Sequence, residues 1–216
     1  MRAYVIGNGP SLAYTNLDLL AGKPSFAVNG INLIYGKTIW RPTHYVRSEA
    51  MALLSDNGYW KDSVKTHLDM GIPCYMSGYY KEFASGYGNY HEMKHCWHHT
   101  MNYDHPDAPS EWHMPMLCQF GGSLIVAMQL ALNLGYDELV LVGCDLNYRD
   151  RKPSHFDKGY EHGSEQPARY ANLNNLWAHV CGINYFARRG LPFNVINATI
   201  GGDLHLYPRG RIEDLA

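Results

Sequence analysis

At 216 residues, 46% of them hydrophobic, the chain is long enough to bury one substantial core. A formal net charge of −2 excludes the basic footprint that nucleic acid or an anionic membrane would require. No apolar run reaches the roughly 20 residues that span a bilayer, and Met1 to Ile6 enter a strand directly without a signal peptide, so a cytoplasmic protein is expected.

Ala3 to Ile6 reads as a short buried strand that runs straight into Gly7-Asn8-Gly9-Pro10-Ser11-Leu12, ahead of a helical segment from about Ala13 to Leu20. Glycines after a buried strand let the backbone approach a ligand, and N–H groups at the next helix start can hold a phosphate. A dinucleotide fingerprint would need a third glycine where Leu12 stands and an acidic residue after the next strand, yet Ser25 to Val28 ends in Asn29. With no Gly-Lys-Ser/Thr, a Walker-type loop is excluded too. An ordinary strand-to-helix turn stays open as the alternative.

A third strand at His44 to Val46 ends in Arg47-Ser48-Glu49, and a further candidate, Pro73 to Met76, ends in Ser77-Gly78. Residues 79–118 read as an irregular, lid-like segment rich in Tyr, Trp and His. His91 and His95, four apart, would share a helix face and with it a metal near Cys96 or His98, although no defensible zinc spacing emerges and no metal ligand is assigned. The five cysteines are scattered without a C-x-x-C pair, which favours free thiols.

From Leu124 to Leu134 the only polar residues are Gln129 and Asn133, on one narrow stripe, so this helix is buried around most of its circumference. It follows Phe120-Gly121-Gly122, with Ser123 expected to cap its start and Gly135 to end it. Leu139 to Val142 do not alternate apolar with polar, which marks a strand covered on both faces, and Gly143 to Tyr148 emerge at its carboxyl end. Arg149, Arg151 and Lys152 read as a solvated face, but His155, between Ser154 and Phe156, is a candidate proton acceptor. Pro167 to Arg189 reads as one long helix, and Phe193 to Ile196 as a last strand that ends in Asn197.

The expected fold is therefore α/β: a single Rossmann-like domain over 1–216, with a mostly parallel sheet, helices on both faces and the inserted lid. Parallel strands share their carboxyl side, so Asn8, Asn29, Arg47 or Ser48, Asp145 and Asn197 would line one rim. Asparagine suits the edge of a base or a ribose hydroxyl without adding charge. It also ends strands simply by forming turns.

These motifs resemble two related groups. Gly-Asn-Gly-Pro-Ser-Leu, Asn29, and Gly-Gly-Ser-x11-Gly-Tyr-x-Glu-Leu-x-Leu-Val-Gly-x-Asp-Leu are similar to the MptE-like 6-hydroxymethylpterin pyrophosphokinases and to the bacterial sialyltransferases that use CMP-sialic acid. The ending Asn197-Ala-Thr-Ile-Gly-Gly-Asp-Leu-His-Leu-Tyr-Pro-Arg resembles MptE-like proteins associated with surface-polysaccharide synthesis. The sialyltransferase resemblance implies that Gly7, Asn8, Gly9, Pro10, Ser11 and Asn29 hold a cytidine nucleotide, with Tyr148 donating to the departing phosphate, a histidine as base and no metal. The position and chemistry of His155 make it the candidate base. Arg47, Gly121, Gly122, Ser123, Gly143 and Asn197 complete the expected binding set. The pyrophosphokinase resemblance implies ATP with Mg2+, to which Asp145 would lend a carboxylate. The expected partners are a small nucleotide donor and a hydroxyl acceptor, with a homo-oligomer left open. A non-catalytic nucleotide-binding protein is the reading from another class.

Overall fold

The computed structural model describes residues 1–48, 58–97, 114, 116–119, 122–146, 155–157, 159 and 194–216. Eight strands form one sheet: β1 (Arg2–Ile6), β2 (Ser25–Val28), β3 (His44–Arg47), β4 (Cys74–Ser77), β5 (Tyr90–Trp97), β6 (Met116–Gln119), β7 (Glu138–Val142) and β8 (Asn194–Asn197). Their order is β6-β5-β4-β3-β2-β1-β7-β8, and every neighbouring pair is parallel. This is an open Rossmann-like α/β sheet, parallel at all seven pairings. The chain steps outward from β1 to β6 and then crosses back to lay β7 on the other side of β1. The order of the strands reverses there, so the crevice above the carboxyl ends of β1 and β7 is the topological switch point.

Strand alternation divides the core between the two faces. Ala3, Val5, Phe26, Val28, Leu139 and Leu141 face one side and pack with the helix α2 (Ser123–Asn133). Tyr4, Ile6, Ala27, Tyr45, Val140 and Val142 face the other, with α1 (Gly58–Asp69) and 3-10 turns over Pro10–Tyr14, Leu17–Leu20 and Ile31–Ile34. As expected, Leu139 to Val142 are wholly buried on both faces. Every residue of α2 from Ser123 to Ala131 is buried, Gln129 included. Each large apolar side chain so placed contributes about 1.5–3 kcal/mol. A short helix α3 (Ile212–Leu215) returns to β1, where the Leu215 carbonyl accepts from the Tyr4 hydroxyl at 2.6 Å.

Several local expectations need correction. The segment from Ala13 to Leu20 is two 3-10 turns, not an α-helix, because Pro10 opens the first and Asn16, accepting from the Asp18 N–H, restarts the chain for the second. Ser123 is the first helical residue rather than the cap; Gly122 occupies the cap position, and the serine hydroxyl bonds across to Ser48 and Asn29 instead. Gly135 does end the helix, at φ +87. Within 79–118, residues 90–97 and 116–119 are strands that extend the sheet. His91 and His95 therefore lie on β5, not on a helix, and four residues of strand span about 13 Å where a helical turn would span about 6 Å. The His91 ring stacks on Tyr75 at 4.6 Å. The expected helix over 167–189 lies outside the described residues, as do His98 and the three histidines beyond it up to His113.

On α1 the buried face is Ser63, Val64, His67 and Leu68. His67 stacks on Tyr45 at 3.7 Å between centroids, its Nδ1 donates to the Ser63 carbonyl at 2.7 Å, and its Nε2 accepts from the Tyr35 hydroxyl at 2.7 Å. Burial pulls its pKa down from 6.5 to about 4. The folded state thus binds fewer protons here than the unfolded chain, so this stability is complete above pH 6.5 and is lost as the pH falls from there towards 4. Urea midpoints should drop between pH 7.5 and 4.5 by the equivalent of about 2–3 kcal/mol. His67→Gln should remove that portion of the slope.

Candidate functional site

The switch point is built where two loops meet. Gly7 N–H donates to the Val142 carbonyl at 2.8 Å, and Gly9 N–H to the Gly143 carbonyl at 2.8 Å, so the loop after β1 continues the pairing with β7 past the strand ends. A Cβ on Gly7 would lie 2.5 Å from the Gly143 oxygen, and one on Gly9 would overlap the Asp145 carboxylate. Gly143 sits at φ +67, and Leu146 follows at φ +49, a left-handed conformation uncommon for a bulky residue.

Asp145 is the fastener of this junction. Its Oδ1 accepts from Ser11 N–H at 3.1 Å and its Oδ2 from Ser11 Oγ at 2.7 Å, while its carbonyl accepts from Asp203 N–H at 2.7 Å. Burial raises its pKa above the ordinary carboxylate value, against the Ser11 bonds and the Arg209 cation, which lower it. The Ser11 N–H is thereby engaged, as are those of Gly7, Gly9 and Leu12, the last donating back to the Gly9 carbonyl at 3.1 Å. Pro10 has none. The glycines thus serve close approach between loops, and these N–H groups are turned inward rather than towards a phosphate.

Asn8 caps the tip of β1. Its Nδ2 donates to the Val28 carbonyl at 2.8 Å, whereas its Oδ1 is buried with no hydrogen-bond partner in a side chain only 8% exposed. Leaving such an acceptor unsatisfied costs about 1–3 kcal/mol, which a ligand donor would recover. On the next strand tip Asn29 adopts φ +54, held at its carbonyl by the Tyr45 hydroxyl at 2.8 Å and Ser63 Oγ at 3.0 Å. Its Oδ1 accepts from Arg47 Nη1 at 3.1 Å and Ser123 Oγ at 3.0 Å. Arg47 is buried and also donates to the Tyr80 hydroxyl at 3.2 Å. Ser48 joins Ser123 at 2.8 Å. Gly122, ahead of Ser123, is buried beside this cluster.

The other side of the rim is more self-contained. Asn197 is fully buried, and both ends of its amide are used within its own loop: Nδ2 to the Leu204 carbonyl at 2.9 Å, Oδ1 from Thr199 N–H at 3.0 Å. It closes a turn instead of facing a ligand. Thr199 Oγ1 accepts from Cys144 N–H at 2.9 Å, tying the β8 loop to that of β7. Arg209 is anchored on the Thr199 and Gly201 carbonyls, the latter at 2.8 Å. Cys74 and Cys144 are free and buried, and burial pushes both thiols up to about 12.

His155 is half-buried beside the β1 tip. The adjoining Phe156 donates its N–H to the Asn8 carbonyl at 3.1 Å and buries its ring, and Asp157 pairs with Lys37 at 3.6 Å. Tyr148 and Gly121 lie outside the described residues. The structure therefore gathers Gly7 to Ser11, Asn29, Arg47, Ser123, Gly143, Asp145 and His155 around the carboxyl edge of β1, and sets Asn197 aside. Sequence reasoning missed Tyr45, Ser63 and Thr199, which reach the site from a strand interior, a helix face and a far loop; no local motif marks them. Each carboxylate oxygen of Asp145 accepts one bond from Ser11, which leaves a further lone pair on both. Among the described residues no three His, Cys, Asp or Glu side chains stand close enough to hold an ion.

No family model matches the chain, and no curated protein does either. Among solved structures, the MAf glycosyltransferase from Magnetospirillum magneticum AMB-1 is similar, with a TM-score of 0.59 and 13% identity over 100% of this chain. The chain spans 34% of that protein's length. At that identity the likeness establishes a shared α/β fold.

The Gly9–Asp145 approach is testable by a double-mutant cycle. Gly9→Ala should destabilise by about 1–3 kcal/mol through overlap with the carboxylate. In the Asp145→Ala background the same change should cost clearly less, read as chemical-denaturation midpoints.

Proposed function

We propose that the chain is a nucleotide-dependent transferase, and specifically a glycosyltransferase that takes a sugar from a CMP-sugar or related donor. The observation that carries this reading is the rim itself: the polar tips of β1, β2 and β3 meet beside the switch point, with one amide acceptor there buried and unanswered. A further feature supports it: the fold is shared with a glycosyltransferase.

In this mechanism His155 takes the proton of an acceptor hydroxyl as its oxygen attacks the anomeric carbon. The bond from that carbon to the donor phosphate breaks, and its electron pair leaves on the phosphate. The N–H groups of Gly7, Gly9 and Ser11 are turned inward; the hydrogen bond to the leaving phosphate is the one that the sialyltransferase resemblance implies for Tyr148. The glycine loop contributes shape, and Asn8 and Asn29 contribute recognition.

Thermal-shift measurements with CMP, UDP, GDP and ATP, each with and without Mg2+, test the reading. CMP should raise the unfolding midpoint without Mg2+; at 100 times its dissociation constant it adds about 2.7 kcal/mol. Stabilisation by ATP only when Mg2+ is present would overturn it in favour of the pyrophosphokinase. With the true donor, His155→Ala should lose about 10²–10⁴-fold in turnover.

A further inference from the structure

The two asparagines at the rim are held in opposite senses. Asn8 and Asn29 each stand two residues beyond a registered pair, Ile6 opposite Ala27, so they occupy equivalent places on adjacent strand tips. Asn8 is fastened through its Nδ2 to the Val28 carbonyl, which leaves the buried Oδ1 as an acceptor without a partner. Asn29 is fastened through its Oδ1. The atom facing Arg47 must be the oxygen, since a guanidinium only donates, and Ser123 Oγ approaches the same atom. The Asn29 Nδ2 is thereby left on the other side of the amide, as the donor. The carbonyl bonds from Tyr45 and Ser63 hold the residue in the left-handed conformation that sets this direction.

We propose that Arg47 and Ser123 are positioning residues that fix Asn29 as a donor beside the acceptor of Asn8, and that this pair reads a nucleoside edge on which a hydrogen-bond donor stands next to an acceptor. The inference rests on the nucleotide reading above and adds the polarity of the contact. Two parts of a nucleotide carry such an edge. One is the amino group and adjacent ring nitrogen of cytosine, a pattern that uracil reverses; the other is the vicinal hydroxyl pair of ribose. Arg47 accordingly acts through Asn29 and not on a phosphate.

The experiment compares CMP, UMP and dCMP by isothermal titration on the wild-type chain and on Asn29→Asp, Ser123→Ala and Ser123→Thr, with unfolding midpoints of the ligand-free proteins alongside. Asn29→Asp keeps the size, turns the donor into an acceptor and gives Arg47 a carboxylate partner. It should unfold at or above the wild-type midpoint while losing about tenfold or more in CMP affinity. If the base is read, UMP binds the wild type about tenfold or more weakly than CMP; if the ribose is read, dCMP does so. Ser123→Ala should narrow whichever preference is found, and Ser123→Thr should keep it. A merely structural serine would shift all three nucleotides together. Equal binding of all three by the wild type, or wild-type CMP affinity in Asn29→Asp, overturns the inference. So does a lowered midpoint of ligand-free Asn29→Asp, even without any nucleotide. Failure of every nucleotide to bind the wild type would instead defeat the donor reading itself.

Discussion

The meeting of two backbones at Gly7 and Gly143 is the constraint on which the rest of this structure depends. Parallel strands normally part at their carboxyl ends, because each must turn into its own crossover. Here the loops after β1 and β7 stay in hydrogen-bond contact for two residues more, through the Val142 and Gly143 carbonyls. Side chains larger than hydrogen would force them apart. The Ser11–Asp145 pair then locks the loops together. With that junction closed, Asn8 is carried against β2 and the Phe156 backbone is drawn onto Asn8. The rim is thus a product of main-chain packing first and of side-chain chemistry second.

Much of this was legible in the amino-acid sequence, for identifiable reasons. A run such as Leu139 to Val142 admits no exposed face, so its burial and a parallel sheet follow at once; the near-absence of polar residues in α2 works the same way. Glycines flanking a buried strand correctly marked a place of close approach. The sequence left open what approaches them, since a loop that packs on another loop and one that packs on a phosphate require the same residue. The outer strands were hidden for a different reason. β5 carries His91, Glu92 and Lys94 among its apolar residues, a composition that reads as a loop until β4 and β6 are seen to flank it. α1 escaped notice because Ser63 and His67 interrupt its buried face, so it lacks a clean apolar stripe.

Asparagines recur at strand ends, and they divide between two roles. Asn197 turns both ends of its amide onto its own loop, the behaviour expected of an ordinary turn former. Asn8 and Asn29 each use one end for architecture and keep the other at the rim. Residue type alone does not separate these cases; what does is the neighbours, the Val28 carbonyl for Asn8 and, for Asn29, Tyr45, Arg47, Ser63 and Ser123 from three different elements.

The strand order also bears on how the chain is made. β1 is translated well before its partner along one whole edge, from Arg2 opposite Glu138 to Ile6 opposite Val142, which follows some 136 residues later. Until then β1 can pair only with β2, and its remaining N–H and C=O groups stand open in the middle of a half-built sheet. The nascent chain must keep that edge from other strands while β2 through β6 accumulate on the opposite side. Completion of the molecule therefore resembles closing a seam at its centre, not adding a border.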